Sequence, residues 1–245
     1  MLQKTGGIVL RSIKYGDTSL ICTIFTAVYG IQAYMIRGVR TAKVRSNRAM
    51  LLQPATLLDI VADHRPQRSL QNIREFQPAY IYHSLQEEIV KNSVALFTAE
   101  LLLRLLPEAA PMPELFDFTY DYFVQLDGMP VREVANFPLY FIVQCSRMLG
   151  YDIKGSYSAD TPHLNLQEGG YTREQPSSQH FASEEDARML DRLLRVENLG
   201  ELKNIEMNAA MRYRLLDWYM EYLNRHTQHL GNIRSLAVLR EILHQ

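Results

Sequence analysis

Cysteine is nearly absent: Cys22 and Cys145 are the only two in 245 residues. Two thiols build neither a disulfide framework nor a four-cysteine zinc site. Both lie in apolar strings, "LICTIF" and "FIVQCSRML", where a thiol serves as a small core residue. A reducing, cytoplasmic setting suits such a chain. Long apolar runs are missing too. The most apolar stretch, "VALFTAELLLRLL", is broken by Glu100 and Arg104, well short of the ~20 residues a membrane helix needs, so no membrane partner is expected. The opening "MLQKTGGIVLRSIKYGD" has neither the apolar core nor the small-residue cleavage site of a secretion signal. No GxxxxGK[ST], GxSxG or HExxH pattern occurs, so neither an enzyme nor a cofactor is expected. Glu184, Glu185 and Asp186 form an acidic cluster, but they open a helical pattern, where the dipole favours acids.

A local lack of negative charge is more informative. No Asp or Glu occurs between Asp17 and Asp59, and that gap contains "RGVRTAKVRSNRA", residues 37–49, with Arg37, Arg40, Lys43, Arg45 and Arg48. The formal net charge of -1 conceals an uneven distribution. Residues 1–74 carry eleven Lys/Arg against three Asp, and residues 75–245 carry fifteen against twenty-four acids. A basic front and an acidic back point to a polyanion as partner of the front.

The texture changes near residue 80. Before it, β-rich runs alternate with turn signals: "GIVLRSIKY", "SLICTIFTAVY", "IQAYMIR", "LLDIVAD" and "LQNIREF". Five strands in about 80 residues predict a small barrel, an OB-fold first and an SH3-like barrel as its rival. After it the pattern is helical: residues 83–106, "PELFDFTYDYFVQL", "FPLYFIVQCSRMLG", "EEDARMLDRLLRV" behind a Ser183–Asp186 capping pattern, residues 205–230, and "SLAVLREILHQ". The expected class is α+β: an OB-fold at 1–80 and an all-α domain at 81–245. Residues 151–180 interrupt the latter as a polar insertion with one hairpin-like piece, "LNLQEGGYTRE".

The order and spacing of Gly7 to Arg11, Tyr15-Gly16, Gly30, Arg37-Gly38-x-Arg40 and Gln53-Pro54, followed by "LLLRLLPE" and "MLGY", resemble the bacterial RecO family of DNA repair proteins over essentially the whole chain. The resemblance implies an N-terminal OB-fold and a C-terminal helical domain with a small knuckle. It also implies recombination mediation: binding single- and double-stranded DNA, annealing strands and, with RecR, helping RecA replace single-strand-binding protein (SSB). Many relatives hold the knuckle with four cysteines around zinc. Residues 151–180 contain none, and His163 and His180 alone cannot complete a tetrahedron, so a metal-free knuckle is expected. His226 and His229, three apart on a helix, are expected to be solvated.

The basic segment is expected in the loop after the third strand, where Lys and Arg neutralise phosphates and release counterions. Lys14, Arg65 and Arg68 extend it from neighbouring turns. Tyr15, Phe25, Tyr29 and Tyr34 lie on or near barrel strands. Stacked aromatics are the other half of a single-strand site, but because the second and third strands are apolar on both faces, alternation does not tell which face is inward, and none of the four is placed in the binding site. The resemblance further implies that the acidic, Phe-ended SSB tail binds the helical domain. "FPLYFIVQCSRMLG", flanked by Arg132 and containing Arg147, is the candidate. Two other readings are compatible with the charge pattern: an OB-fold RNA-binding or translation-associated protein, and a protein adaptor working through its acidic helices.

Overall fold

The computed structural model describes residues 2–40, 47–176, 182–228 and 230–243, with Asn47 described by its backbone alone. The chain forms two compact units, Met1–Gly128 and Met129–Gln245.

In the first unit five strands, β1 (Leu2–Tyr15), β2 (Ser19–Thr26), β3 (Gly30–Ile36), β4 (Leu57–Asp63) and β5 (Leu70–Pro78), close into a barrel in the order β1-β2-β3-β5-β4. Every pairing is antiparallel except that of β3 with β5. This is the expected OB-fold, and its closure leaves no open sheet edge to aggregate. β1 closes it by serving both neighbours: Leu2–Ile8 pair with β4, and Gly7–Tyr15 pair with β2 across a register shift between Val9 and Arg11. Alternation sends Leu20, Cys22 and Ile24 of β2 and Tyr34 and Ile36 of β3 inward, where they meet Val9, Leu58, Ile60 and Ala62. The outer face is apolar at one end because it too is covered. Phe25 meets Phe116 edge-on, with ring centroids 5.5 Å apart. Gly30 has φ +65, and a Cβ there would lie 2.2 Å from the Ala110 carbonyl oxygen, so the β2–β3 turn admits only glycine.

Helices α1 (Ile89–Leu105) and α2 (Pro113–Gly128) complete this unit, which therefore continues beyond the change from strand to helix. The helical pattern read from residue 83 begins as helix only at Ile89. The intervening backbone is bent around a carboxylate: Asp127, 3 % exposed, accepts hydrogen bonds from the backbone N–H groups of His83, Ser84 and Leu85 at 2.7–2.9 Å. Tyr80 Oη adds a fourth donor at 3.2 Å, and Lys91 Nζ donates to the Asp127 carbonyl at 2.6 Å.

The second unit contains α3 (Phe137–Met148), α4 (Glu184–Leu194), α5 (Ala209–His226), α6 (Arg234–Leu243) and a hairpin of β6 (His163–Asn165) and β7 (Gly170–Thr172). Ser183 caps α4 as the sequence pattern predicts, accepting from the Asp186 N–H at 3.2 Å. Asp186 itself takes the Arg214 guanidinium at 2.7 Å. The hairpin is anchored by polar and aromatic contacts: Tyr171 Oη donates to the Ala187 carbonyl (2.9 Å), and His226 Nε2 lies 2.9 Å from the Leu166 carbonyl. Among the described residues no three His, Cys, Asp or Glu side chains are grouped as metal ligands. Among the described residues the side chains do not fit a zinc ion: Cys22 and Cys145 are buried in β2 and α3, and burial pushes the Cys145 thiol up to about 12. His180 and His229 lie outside the described residues. No helix among the described residues is long and apolar enough to cross a membrane.

Candidate nucleic-acid interface

β3 ends at Ile36 and β4 begins at Leu57, so the described part of the basic segment, residues 37–40 and 47–49, falls between the third and fourth strands, as expected. Gly38 takes φ +71, a turn that lets the chain leave β3 sharply. Arg40 is then laced to the β1–β2 turn, its N–H donating to the Thr18 carbonyl at 3.1 Å and its guanidinium to the Gly16 carbonyl at 3.3 Å. Lys14, exposed one residue before the end of β1, stands next to the same turn. Lys43 and Arg45 lie outside the described residues.

Four other predicted cations are gathered by the fold. Arg37 from the end of β3, Arg48 from the 3-10 turn Asn47–Leu52, and Arg65 and Arg68 from the β4–β5 loop line one cleft of about 490 Å³. Arg74 of β5 joins them, and Asp63 is the one carboxylate in the lining. Asp63 lies 3.5 Å from Arg65 and 3.6 Å from Arg74. Five guanidiniums against one carboxylate leave a strongly positive surface. Like charges so close repel, and a bound polyanion relieves that repulsion.

The cleft is also preorganised. Gln71, 1 % exposed, uses its whole amide on the β4–β5 loop. Its Oε1 accepts from the Arg65 N–H at 2.9 Å, and its Nε2 donates to the carbonyls of Arg65 (2.9 Å) and Arg68 (2.6 Å). The arginines thus stand on a fixed loop. Arg48 stands over the Phe76 ring, its guanidinium carbon 4.8 Å from the ring centroid. Arg74, Gln71 and Phe76 were missed in the sequence reading. "LQNIREF" reads as a strand, but only its register against β4 and β3 shows which of its residues face outward.

Larger clefts on the same unit carry mixed charge. One of about 670 Å³ is bounded by Lys4 and Arg48 but also by Asp59 and Glu75. One of about 800 Å³ on the outer face of β2 and β3 holds Arg68 and Glu108. Tyr29 borders it with its ring stacked on His64, centroids 3.7 Å apart.

In the second unit the two predicted partner-binding arginines differ. Arg147 is committed internally: it donates to the Leu194 carbonyl at 2.7 Å and lies 3.7 Å from Asp152. The α3 helix around it has no open apolar face, since every residue from Phe137 to Ser146 is buried. Arg132 is 84 % exposed at its side chain and borders a different cleft, of about 610 Å³, with Lys203 and Arg212. Arg212 is half-buried, and burial lowers its pKa. Its hydrogen bonds go to neutral acceptors, Asn136 Oδ1 at 2.9 Å and the Met207 carbonyl at 3.2 Å. Leu202, Ile205 and Met207 supply apolar lining, and Glu133 and Glu206 are the acids.

The whole chain matches known proteins. Residues 1–82 match the family described as Recombination protein O N terminal, and residues 86–237 match Recombination protein O C terminal. A DNA repair protein RecO of Bacteroides fragilis is 33% identical over 245 residues, 99% of each chain. One of Phocaeicola vulgatus is 30% identical over 242 residues, again 99% of each. One of Salinibacter ruber is 34% identical over 147 residues, 60% of this chain and 55% of its own. With an OB-fold and a helical region matched end to end, this chain belongs to the RecO family of DNA repair proteins.

Proposed function

We propose that the protein is a recombination mediator that binds single- and double-stranded DNA through the arginine cleft of its barrel, anneals complementary strands and, with RecR, helps load RecA onto SSB-coated single strands. The observation that carries this reading is the convergence of Arg37, Arg48, Arg65, Arg68 and Arg74 on one cleft with a single carboxylate. Phosphate neutralisation releases counterions whatever the base sequence, which suits a protein that meets every part of a genome. Annealing needs no bond chemistry from it. A neutralising surface lets two phosphate backbones approach, and base pairing supplies the driving force. Lys14 and Arg40 flank the same barrel at the β1–β2 turn and extend the track.

For the SSB tail the Arg132 cleft is the better candidate than α3. Its cations meet a terminal carboxylate, and its apolar residues meet an aromatic side chain.

The test is the salt dependence of single-strand binding. Each phosphate contact contributes about 0.7 to the slope of log affinity against log salt. Replacing Arg37, Arg48 and Arg68, the cleft arginines not beside Asp63, with Ala is expected to lower the slope by about 2 for all base sequences alike, with annealing falling in parallel. An unchanged slope would place the DNA elsewhere.

A further inference from the structure

Register and burial together show which of the barrel's aromatics is open to solvent. The row Ser12–Cys22–Tyr34–Gln71 runs across β1, β2, β3 and β5 and points inward: Cys22 and Tyr34 are 0 % exposed. The adjacent row, Ile13–Ile21–Met35–Asn72, therefore points outward, and Tyr15 follows Ile13 on the same face of β1. Of the four aromatics on or near these strands, Tyr34 is in the core and Phe25 is covered by Phe116. Tyr29 has one ring face on His64 and its hydroxyl on Gln3. Tyr15 is 55 % exposed, and Ile13 beside it is 42 % exposed. No hydrogen bond or ring contact holds Tyr15 among the described residues. The apolar row does not end in solvent. Met35, only 8 % exposed, and Asn72 at its far end are themselves part of the arginine cleft's lining, so the exposed Tyr15–Ile13 end of the row and the arginine cleft share one outer face of the barrel.

We propose that Tyr15, with Ile13 beside it, is a stacking plate for the unpaired bases of a single strand, and that it makes the protein's hold on DNA stronger before pairing than after. This rests on the DNA-binding reading of the arginine cleft and adds a direction to it. Phosphates are present in single and double strands alike, so the cleft grips both. A base offers its face to a tyrosine only while it is unstacked. Once two strands pair, both faces are covered by neighbouring base pairs and the Tyr15 contact is lost, while the phosphate contacts remain. Pairing thus removes one of the two attractions, and the annealed product is held more weakly per phosphate than the strands that formed it.

The experiment measures the affinity of the full-length protein for a mixed-sequence single strand, an abasic strand of equal length and the corresponding duplex. Wild type, Tyr15→Leu and Tyr15→Phe are compared at several salt concentrations. Tyr15→Leu is expected to weaken single-strand binding about tenfold, leave abasic and duplex binding within twofold, and keep the salt slope. Tyr15→Phe, which retains the ring, is expected to behave as wild type. Undiminished single-strand binding by Tyr15→Leu overturns the proposal, and so does an equal loss on all three ligands, which would mark a structural role. In both cases a steep wild-type salt slope leaves the arginine cleft standing. A wild type with no salt-dependent binding to any strand overturns the cleft and the plate together.

Discussion

Gln71 shows how an uncharged residue can govern a charged site. Its buried amide spans the β4–β5 loop with three hydrogen bonds to the backbone of Arg65 and Arg68. Replacing it with Ala removes no cation, so the salt slope of DNA binding should hold. The loop would lose its template, and affinity should fall several-fold as the arginines must be ordered on binding. Stability should drop by roughly 1–3 kcal/mol, because the Arg65 N–H and both carbonyls lose their partner. Urea denaturation and a salt titration of Gln71→Ala check both outcomes together. Arg65 illustrates a different limit: it already sits 3.5 Å from Asp63, so its net contribution to a phosphate is smaller than that of Arg37 or Arg68.

Among the elements, α2 and the segment before α1 are fastened by one side chain. Burial alone would push the Asp127 carboxyl up, but the N–H donors of His83, Ser84 and Leu85 and the Tyr80 hydroxyl outweigh it and hold the pKa below the usual carboxylate range. A depressed carboxyl contributes stability that is present above its unfolded value, about 3.9, and is lost as pH falls through the lower folded value. Asp127→Asn should cost on the order of 3 kcal/mol at neutral pH, because its amide turns donors toward donors. The gap between wild type and variant should narrow only below about pH 4, as acid removes the wild type's advantage. Thermal melts across pH read this directly, and a gap that narrowed already near pH 6 would contradict the assignment. The β6–β7 hairpin gives a second prediction. Its fasteners are the Tyr171–Ala187 and His226–Leu166 hydrogen bonds, so a strong chelator should leave the melting temperature unchanged, and elemental analysis should find no stoichiometric zinc.

Over the whole chain the balance of charge changes sign, with Lys and Arg in excess in residues 1–74 and acids in excess in residues 75–245, which suits two partners of different chemistry. A peptide ending in acidic residues and a C-terminal Phe should bind the full-length protein by fluorescence anisotropy. Arg132→Glu should weaken that binding at least tenfold while single-strand DNA affinity stays within twofold. An unaffected peptide affinity would remove the Arg132 cleft from consideration. Arg147, whose guanidinium holds the Leu194 carbonyl, should instead affect stability when replaced.

The class of fold, the five strands, the helices and the uneven charge were all legible in the chain, because each depends on local periodicity, turn residues or summed charge. The loop position of Arg37 and Arg48 was legible for the same reason, as were the cap at Ser183 and the glycine at the Arg37-Gly38 step. The grouping of arginines into a cleft was not. Arg37, Arg48, Arg68 and Arg74 come from four separate places in the chain, and only barrel closure, with β5 passing from β3 to β4, brings them together. Nor could the strings "SLICTIFTAVY" and "IQAYMIR" show which aromatic is open to solvent. Both faces of those strands are apolar, since the barrel interior fills one and Phe116 covers part of the other. Alternation along a strand has two equivalent phases, and it takes the packing of other elements against the sheet to choose between them.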